Sequence, residues 1–359
     1  PDMCRLLPLL LCAASLAHAQ PPSGGAAVVA VATDPGHLNP AITTAGPTHQ
    51  VAGSLFNGLV ALDESGAPEP DLARGWTLSP DGLAVTFALH PAARWHDGQP
   101  FSAEDVRVSL EQLLFRHHAR ARAGLAPAVA AVEADTGAVT LRLRRPHPAL
   151  LRQLDASEAP MLPAHLFAGR DPLTNPANLR PVGTGPFRFV SWRRDDQIVL
   201  ERHAAYHKPG LPRLDRIVFR IIPDSNMAVN ATLAGEVDVL ARLSAADVVR
   251  LRGRGITPAE TRAAPGGSNC VMTLAFNLDR PRTAHPALRA ALAHGIDRAR
   301  LLEVVQFNQG RVAAAPIASG IAFAHLPGAF AELRHDPAEA NRLLDATAFA
   351  RGADGARMT

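Results

Sequence analysis

The chain has 359 residues, 47% hydrophobic and 19% charged, a balance that excludes a disordered or tail-like protein. At about 150 residues per domain, this length predicts two domains or slightly more, each able to bury a core. A net charge of +3 (36 basic, 33 acidic), with no run of five basic residues, argues against a nucleic-acid face, and three cysteines exclude a disulfide scaffold.

Met3, then Arg5, an apolar run over 6–16 and the small-x-small site Ala17-His18-Ala19 read as a secretory signal peptide over residues 1–19. The run is too short to span a bilayer, and the Pro- and Gly-rich stretch 21–25 speaks against the alternative of a buried helix. Cleavage before Gln20 removes Cys4 and Cys12 and leaves Cys270 alone, so the mature chain is expected to have no internal disulfide. No second apolar stretch of about 18 residues follows, which predicts no stable membrane insertion.

AAVVAVA (26–32) reads as a buried strand that runs into a turn-rich loop, TDPGHLNPAITTAGPTH. LAVTFALH alternates around Val85, Phe87 and Leu89. A helix follows, with Ser102 as N-cap, Asp105 as capping-box partner and Val106, Leu110, Leu113 and Leu114 on one face. VTLRLRR, from Val139, is another alternating strand. PFRFVSW, QIVLERH and DRIVFRII follow one another closely and predict neighbouring strands of one sheet. A helix from about Ser225, ended by Gly235, leads to the short strand VDVL. GGSNCVMTLAFNL then predicts an apolar strand at a domain crossing. HPALRAALAHGI and DRARLLEVV read as consecutive helices. HDPAEANRLLDA carries Asp336 as N-cap, Pro337 at the first helical position and Glu339 completing a capping box. The interleaving predicts an α/β protein.

Catalytic signatures are sparse. Gly183-Thr184-Gly185 begins like a dinucleotide fingerprint, but Arg188 stands at the sixth position and a strand follows instead of a helix. There is no phosphate loop, no H-E-x-x-H, no C-x-x-C and no G-x-S-x-G elbow. His117 and His118 are neighbours that point about 100 degrees apart on a helix, which suits a solvated helix end better than a ligand pair. Cys270 lacks an activating partner, and Asp195-Asp196 reads as a solvated turn. These residues predict no enzyme, no cofactor and no metal site.

The stretch SLFNGLVALDESGAPEPDLARGWTLSPDGLAVTFALHPAARWHDGQPFSAEDVRVSLEQLL resembles the extracellular solute-binding proteins of family 5, the peptide, dipeptide and nickel-type receptors of ABC importers. The resemblance continues through LPAHLF, NPANLRPVGTGPFRFVSW, YHKPGLPRLDRIVFRIIPD, LAGEVDVL, LAFNLDRP, LRAALAHGIDRARLLEVV and DPAEANRLLDA. It implies a two-lobed periplasmic-binding-protein clamp (type II, cluster C) with an extra subdomain. Lobe I would use 20–50 and 181–265, the inserted subdomain 51–180, and a partial lobe II 266–359, the second lobe being incomplete in this chain. The two glycines of VGTGPF would permit a close backbone approach at the return between lobes.

The implied function is a monomeric periplasmic receptor that captures peptides or similar small polar solutes and delivers them to ABC transporter permease subunits. Alternatives are a receptor for a metal chelate or haem within the family, a regulatory sensor domain, and, from another class, a secreted hydrolase. The loop after the first strand would lie at the cleft mouth, making Thr43, Thr44 and Thr48 ligand candidates or ordinary loop caps. Gly183, Thr184 and Gly185 sit at the lobe return, where Thr184 could present its hydroxyl to the cleft or the glycines could be purely structural. Asn277, in the strand that would start the second lobe, could bond ligand or an adjacent backbone. Arg120 and Arg122 would suit an anionic group or stay solvated at a helix end. With 13 Phe, 3 Trp and 1 Tyr, a heavily aromatic sugar cleft is disfavoured.

Overall fold

The computed structural model describes residues 23–240, 243–256, 271–313 and most of 315–357; the expected signal segment, Cys270 and the 257–270 crossing lie outside the described residues. The strands are, in chain order, β1 (Ala26–Val31), β2 (Val60–Leu62), β3 (Pro68–Pro70) and β4 (Ala73–Leu78). Next come β5 (Ala84–Leu89), β6 (Val129–Asp135) and β7 (Ala138–Leu143). Last are β8 (Phe187–Arg193), β9 (Gln197–Arg202), β10 (Arg216–Ile221) and β11 (Val239–Leu240).

β1 is an uninterrupted apolar run, as suits a strand with a partner on both edges. It lies parallel to β10 and to β11, with Val28 opposite Val218 and Val29 opposite Val239. The turn signals between the apolar runs make β8, β9 and β10 an antiparallel meander, so the five-stranded order is β11-β1-β10-β9-β8. The parallel neighbours β1 and β10 require a long connection. That connection carries an antiparallel sheet of its own, β4-β5-β7-β6.

Alternation decides which side of the inserted sheet is covered: Val85, Phe87 and Leu89 of β5 and Val139, Leu141 and Leu143 of β7 are all buried. The helix starting at Ala103 lays Val106, Leu110, Leu113 and Leu114 into the same core. One apolar cluster runs from Val31, Leu38 and Leu55 through Phe87 and Leu110 to Ile198 and Phe219, so the two sheets share a continuous core. At roughly 1.5–3 kcal/mol for each fully buried Leu or Phe, this shared interior is the main attraction between them.

The expected capping box is present. The Ser102 hydroxyl accepts from the Asp105 amide, and Asp105 accepts from the Ser102 amide at 2.8 Å. Asp105 also accepts from Trp95 Nε1 and from the Ala164 amide, tying the helix start to two other segments. Because Asp105 retains those bonds, Ser102→Ala is expected to cost only about 1 kcal/mol in urea unfolding.

Two expectations need correction. Residues 271–277 form no strand: no described strand lies beside them to complete a ladder, and Met272 and Leu274 are 80% and 61% exposed. The Asp336-capped helix Pro337–Asp345 forms, but Glu339 closes no box, because its carboxylate turns to Arg342 at 2.6 Å. The helices Pro286–Gly295 and Arg298–Gln306 form as expected.

Candidate ligand-binding site

β1, β10 and β11 run parallel, so their carboxyl ends open on one side of the sheet. Ligands of open α/β sheets sit at such ends, where strand order reverses about the first strand. The loop after β1 lies there and is held internally. Asn39 accepts from the Ala41 amide and donates to Asn178 Oδ1 at 2.8 Å. Thr48 is buried and donates to the His37 carbonyl at 2.9 Å, so its hydroxyl serves the loop backbone. Thr43 Oγ1 accepts from the Ala45 amide, and its carbonyl accepts from His49 Nε2 at 2.8 Å. Thr44 is exposed, and its hydroxyl has no partner among the described residues.

The Gly183-Thr184-Gly185 return is a backbone knot. The Gly185 amide donates to the Leu55 carbonyl at 2.9 Å and the Phe187 amide to the Ser54 carbonyl at 3.1 Å. A Cβ at Gly183 would overlap the Leu55 carbonyl oxygen, and one at Gly185 would stand 2.5–2.7 Å from Leu55 and Ser54 carbonyl atoms. His96 braces the turn from the other side. Its amide donates to the Gly183 carbonyl, its Nδ1 accepts from the Gly183 amide at 3.0 Å, and its Nε2 donates to the Gly185 carbonyl at 3.1 Å.

Thr184 is buried and donates to Asn57 Oδ1 at 3.1 Å. Asn57 donates in turn to Asp71 and to the Tyr206 hydroxyl. Burial pushes the Tyr206 hydroxyl up to about 12. The two glycines and Thr184 thus join the sheets and turn inward.

The remaining candidates lie apart. Arg120 pairs with Glu158 at 2.7 Å and donates to the Ser157 carbonyl, so its charge is used on the inserted segment. Arg122 is exposed. Asn277 is exposed and accepts from the Asp279 amide, closing a turn before the short helix Pro281–Ala284. His118, expected at a solvated helix end, is instead fully buried against His49.

Three residues missed in the sequence shape the carboxyl end. Asp34 accepts from Trp192 Nε1 at 3.3 Å, from the Asp195 amide at 2.6 Å and from Arg194 Nη1 at 3.2 Å. The Arg194 guanidinium stacks 3.5 Å over the Trp192 ring, a cation–π contact. Beside them is an open depression of about 520 Å³, walled by Leu179, Arg180, Phe189 and Trp192. A second, of about 500 Å³, lies past the end of β10, between Arg220, Pro223, Met227 and Glu236. Their signal was available: Trp192 and Arg194 stand at the end of β8, and Asp34 stands three residues past β1, at the open end of the sheet. Among the described residues no three His, Cys, Asp or Glu side chains converge in a way that could hold a metal ion, and no helix is long and apolar enough to cross a membrane.

Residues 67–358 match the family model for bacterial extracellular solute-binding proteins, family 5. The glutathione-binding protein GsiB of Pectobacterium atrosepticum is 28% identical over 331 residues, which are 91% of this chain and 62% of the relative. GsiB of Salmonella typhimurium is 27% identical over 329 residues, 90% of this chain and 62% of that protein. The chain therefore spans about three fifths of the length of these relatives.

Among solved structures, AgaA from A. tumefaciens R10 in complex with agropinic acid superposes with a TM-score of 0.73 at 26% identity, covering 91% of this chain and 65% of that one. The periplasmic binding protein DppA of Helicobacter pylori, in complex with peptide STSA, does so at 0.74 and 24% identity, covering 92% and 67%. The fold is that of the type II periplasmic binding proteins. With a family match across most of its length, the chain belongs to the bacterial extracellular solute-binding proteins of family 5.

Proposed function

We propose that the chain is the ligand-capturing part of a periplasmic receptor that delivers peptides or similar small polar solutes to an ABC import permease. In this reading 1–19 direct export, 20–50 and 181–265 form lobe I, 51–180 the inserted subdomain and 266–359 a partial lobe II, and the receptor acts as a monomer. It binds its solute without turning it over. The observation that carries the reading is the open carboxyl end of the five-stranded sheet. There Asp34, Trp192 and Arg194 fix a polar rim, and the Thr44 hydroxyl faces solvent. An exposed hydroxyl beside a rim that Arg194 pins through Asp34 and the Pro35 and Gly36 carbonyls suits the polar groups of a flexible ligand.

Native mass spectrometry of the mature protein with equimolar reduced glutathione, a mixture of tetrapeptides and nickel–histidine tests it. The expected result is a 1:1 adduct with glutathione or a tetrapeptide, weakened about tenfold or more by Arg194→Ala, because that guanidinium holds Asp34 and the Pro35 and Gly36 carbonyls of the rim loop in place. A nickel–histidine adduct alone would replace the peptide reading by a chelate receptor. Cleaved peptide, abolished by a single serine or cysteine substitution, would replace it by a hydrolase.

A further inference from the structure

Six of the 15 histidines form three facing ring pairs: His96 with His203 at 4.8 Å between centroids, His90 with His207 at 5.1 Å, and His49 with His118 at 6.0 Å. Every pair has one member on each side of the same seam. His90, His96 and His118 belong to the segment between the helix Gly46–Ala52 and β8. His49 lies on the helix Gly46–Ala52 that follows β1, and His203 and His207 follow β9. Two of the pairs also hold the backbone of the candidate ligand loops. His49 donates to the Thr43 carbonyl, while His96 and His203 both converge on the Gly185 carbonyl, at 3.1 and 3.2 Å.

We infer that this seam is an acid-sensitive latch, in which protonation of His96 and His118, each facing a second imidazole, drives the inserted segment away from the five-stranded sheet and frees the loops at its open end. Its consequence for solute retention rests on the receptor function proposed above; the latch itself does not.

The hydrogen bonds require neutral rings. His96 uses Nδ1 as an acceptor for the Gly183 amide, so a proton there would set one N–H against another. His118 Nδ1 accepts from the Ala121 amide, and its Nε2 is buried without a partner. A second charge on these rings would therefore be both desolvated and opposed by the facing ring.

The surrounding charges differ from pair to pair. His96 and His203 face Arg188, with Asp97 a weaker opposing influence on His96. His118 faces Arg120 and His49. His90 and His207 face Arg74 and Lys208 but also the Asp71 carboxylate, which accepts from His207 Nε2 at 3.2 Å. The Asp71 carboxylate partly counters the burial that lowers His90, so the acid response is assigned to His96 and His118. Burial is the foremost cause lowering both His96, to about 3, and His118, to about 4, from an ordinary 6.5.

The sign follows from linkage. Neutral rings favour the folded state fully above pH 6.5, and this support is lost as pH falls from there toward 3–4, where the folded rings also titrate. Between pH 7.5 and 5, each of the two rings raises the unfolding constant by about thirtyfold.

Urea unfolding of the ligand-free mature protein across that range tests the latch, using the wild type, His96→Gln, His118→Gln and the double variant. Each single substitution is expected to remove about thirtyfold of the pH-dependent change, and the double variant to remove both increments. A purely structural role would lower stability equally at every pH and leave the slope intact; that result overturns the inference. Should the glutamine variants not fold, imidazole NMR titration of the wild type decides. Rings of His96 and His118 still neutral at pH 5 support the latch, and titration near 6.5 refutes it. Absence of a peptide adduct would count against the receptor reading without touching either measurement.

Discussion

Gly183→Ala is expected to destabilise the protein by about 3 kcal/mol or more, the upper end of what overpacking costs. The added methyl would overlap the Leu55 carbonyl oxygen and come within 3.2 Å of Phe56 Cδ1. Side-chain clashes usually relax by rotamer changes, but this one sets backbone against backbone. The Leu55 carbonyl cannot retreat without losing the Gly185 amide at 2.9 Å, and the opposite face of the turn is held by His96. With total stabilities of about 5–15 kcal/mol, a loss of this size removes much of the margin. Gly36→Ala is the matched control, since a Cβ there meets nothing within 4 Å; it should move the urea midpoint by no more than about 0.5 kcal/mol. Equal midpoints for the two variants would show that the knot yields.

The same turn marks where sequence reasoning succeeds and where it stops. Local order was readable: β8, β9 and β10 are apolar runs divided by turn residues, and Ser102 and Asp105 cap their helix because capping acts over three residues. The closeness of backbones at VGTGPF was readable too, because two glycines so near each other imply an approach with no room for side chains. What they approach was not. Leu55 lies far upstream, and Asn57, which turns Thr184 inward, stands 127 positions away. The threonines 43, 44 and 48 have identical chemistry, and only the path of the loop decides that Thr48 bonds to His37 while Thr44 stays open. His118 shows the same limit: a histidine at a helix end looks solvated until its partner His49 is brought against it. Residues 271–277 failed in the opposite direction, because an apolar sequence encodes a readiness to pair and does not supply the neighbouring strand.

Asp71→Ala is expected to cost about 3–5 kcal/mol, toward the lower figure, as the removal of one partner from a buried ion pair does. Its side chain is 5% exposed and accepts from Asn57 at 2.9 Å, His207 at 3.2 Å and Lys208 at 2.9 Å. Burial pushes this carboxyl up, but the bonds from His207, Lys208 and Asn57 outweigh it and hold the group below its ordinary 3.8. Without the carboxylate, His207 Nε2 is left buried and unanswered, Asn57 Nδ2 keeps only the Tyr206 hydroxyl, and the Thr184–Asn57 contact at the knot loses part of its support. Lys208 is one-third exposed and can turn to water, which limits the loss and predicts about 1 kcal/mol or less for Lys208→Ala. The carboxylate's contribution is present above pH 3.8 and disappears as pH falls through its lowered folded value. The paired imidazoles act in a higher window, beginning near pH 6.5. Urea unfolding of Asp71→Ala should therefore show a large loss at pH 7 that shrinks only below pH 4, with the slope between pH 7.5 and 5 retained from His96 and His118. A cost under about 1 kcal/mol at pH 7 would mean that this junction draws its strength from the shared apolar core alone.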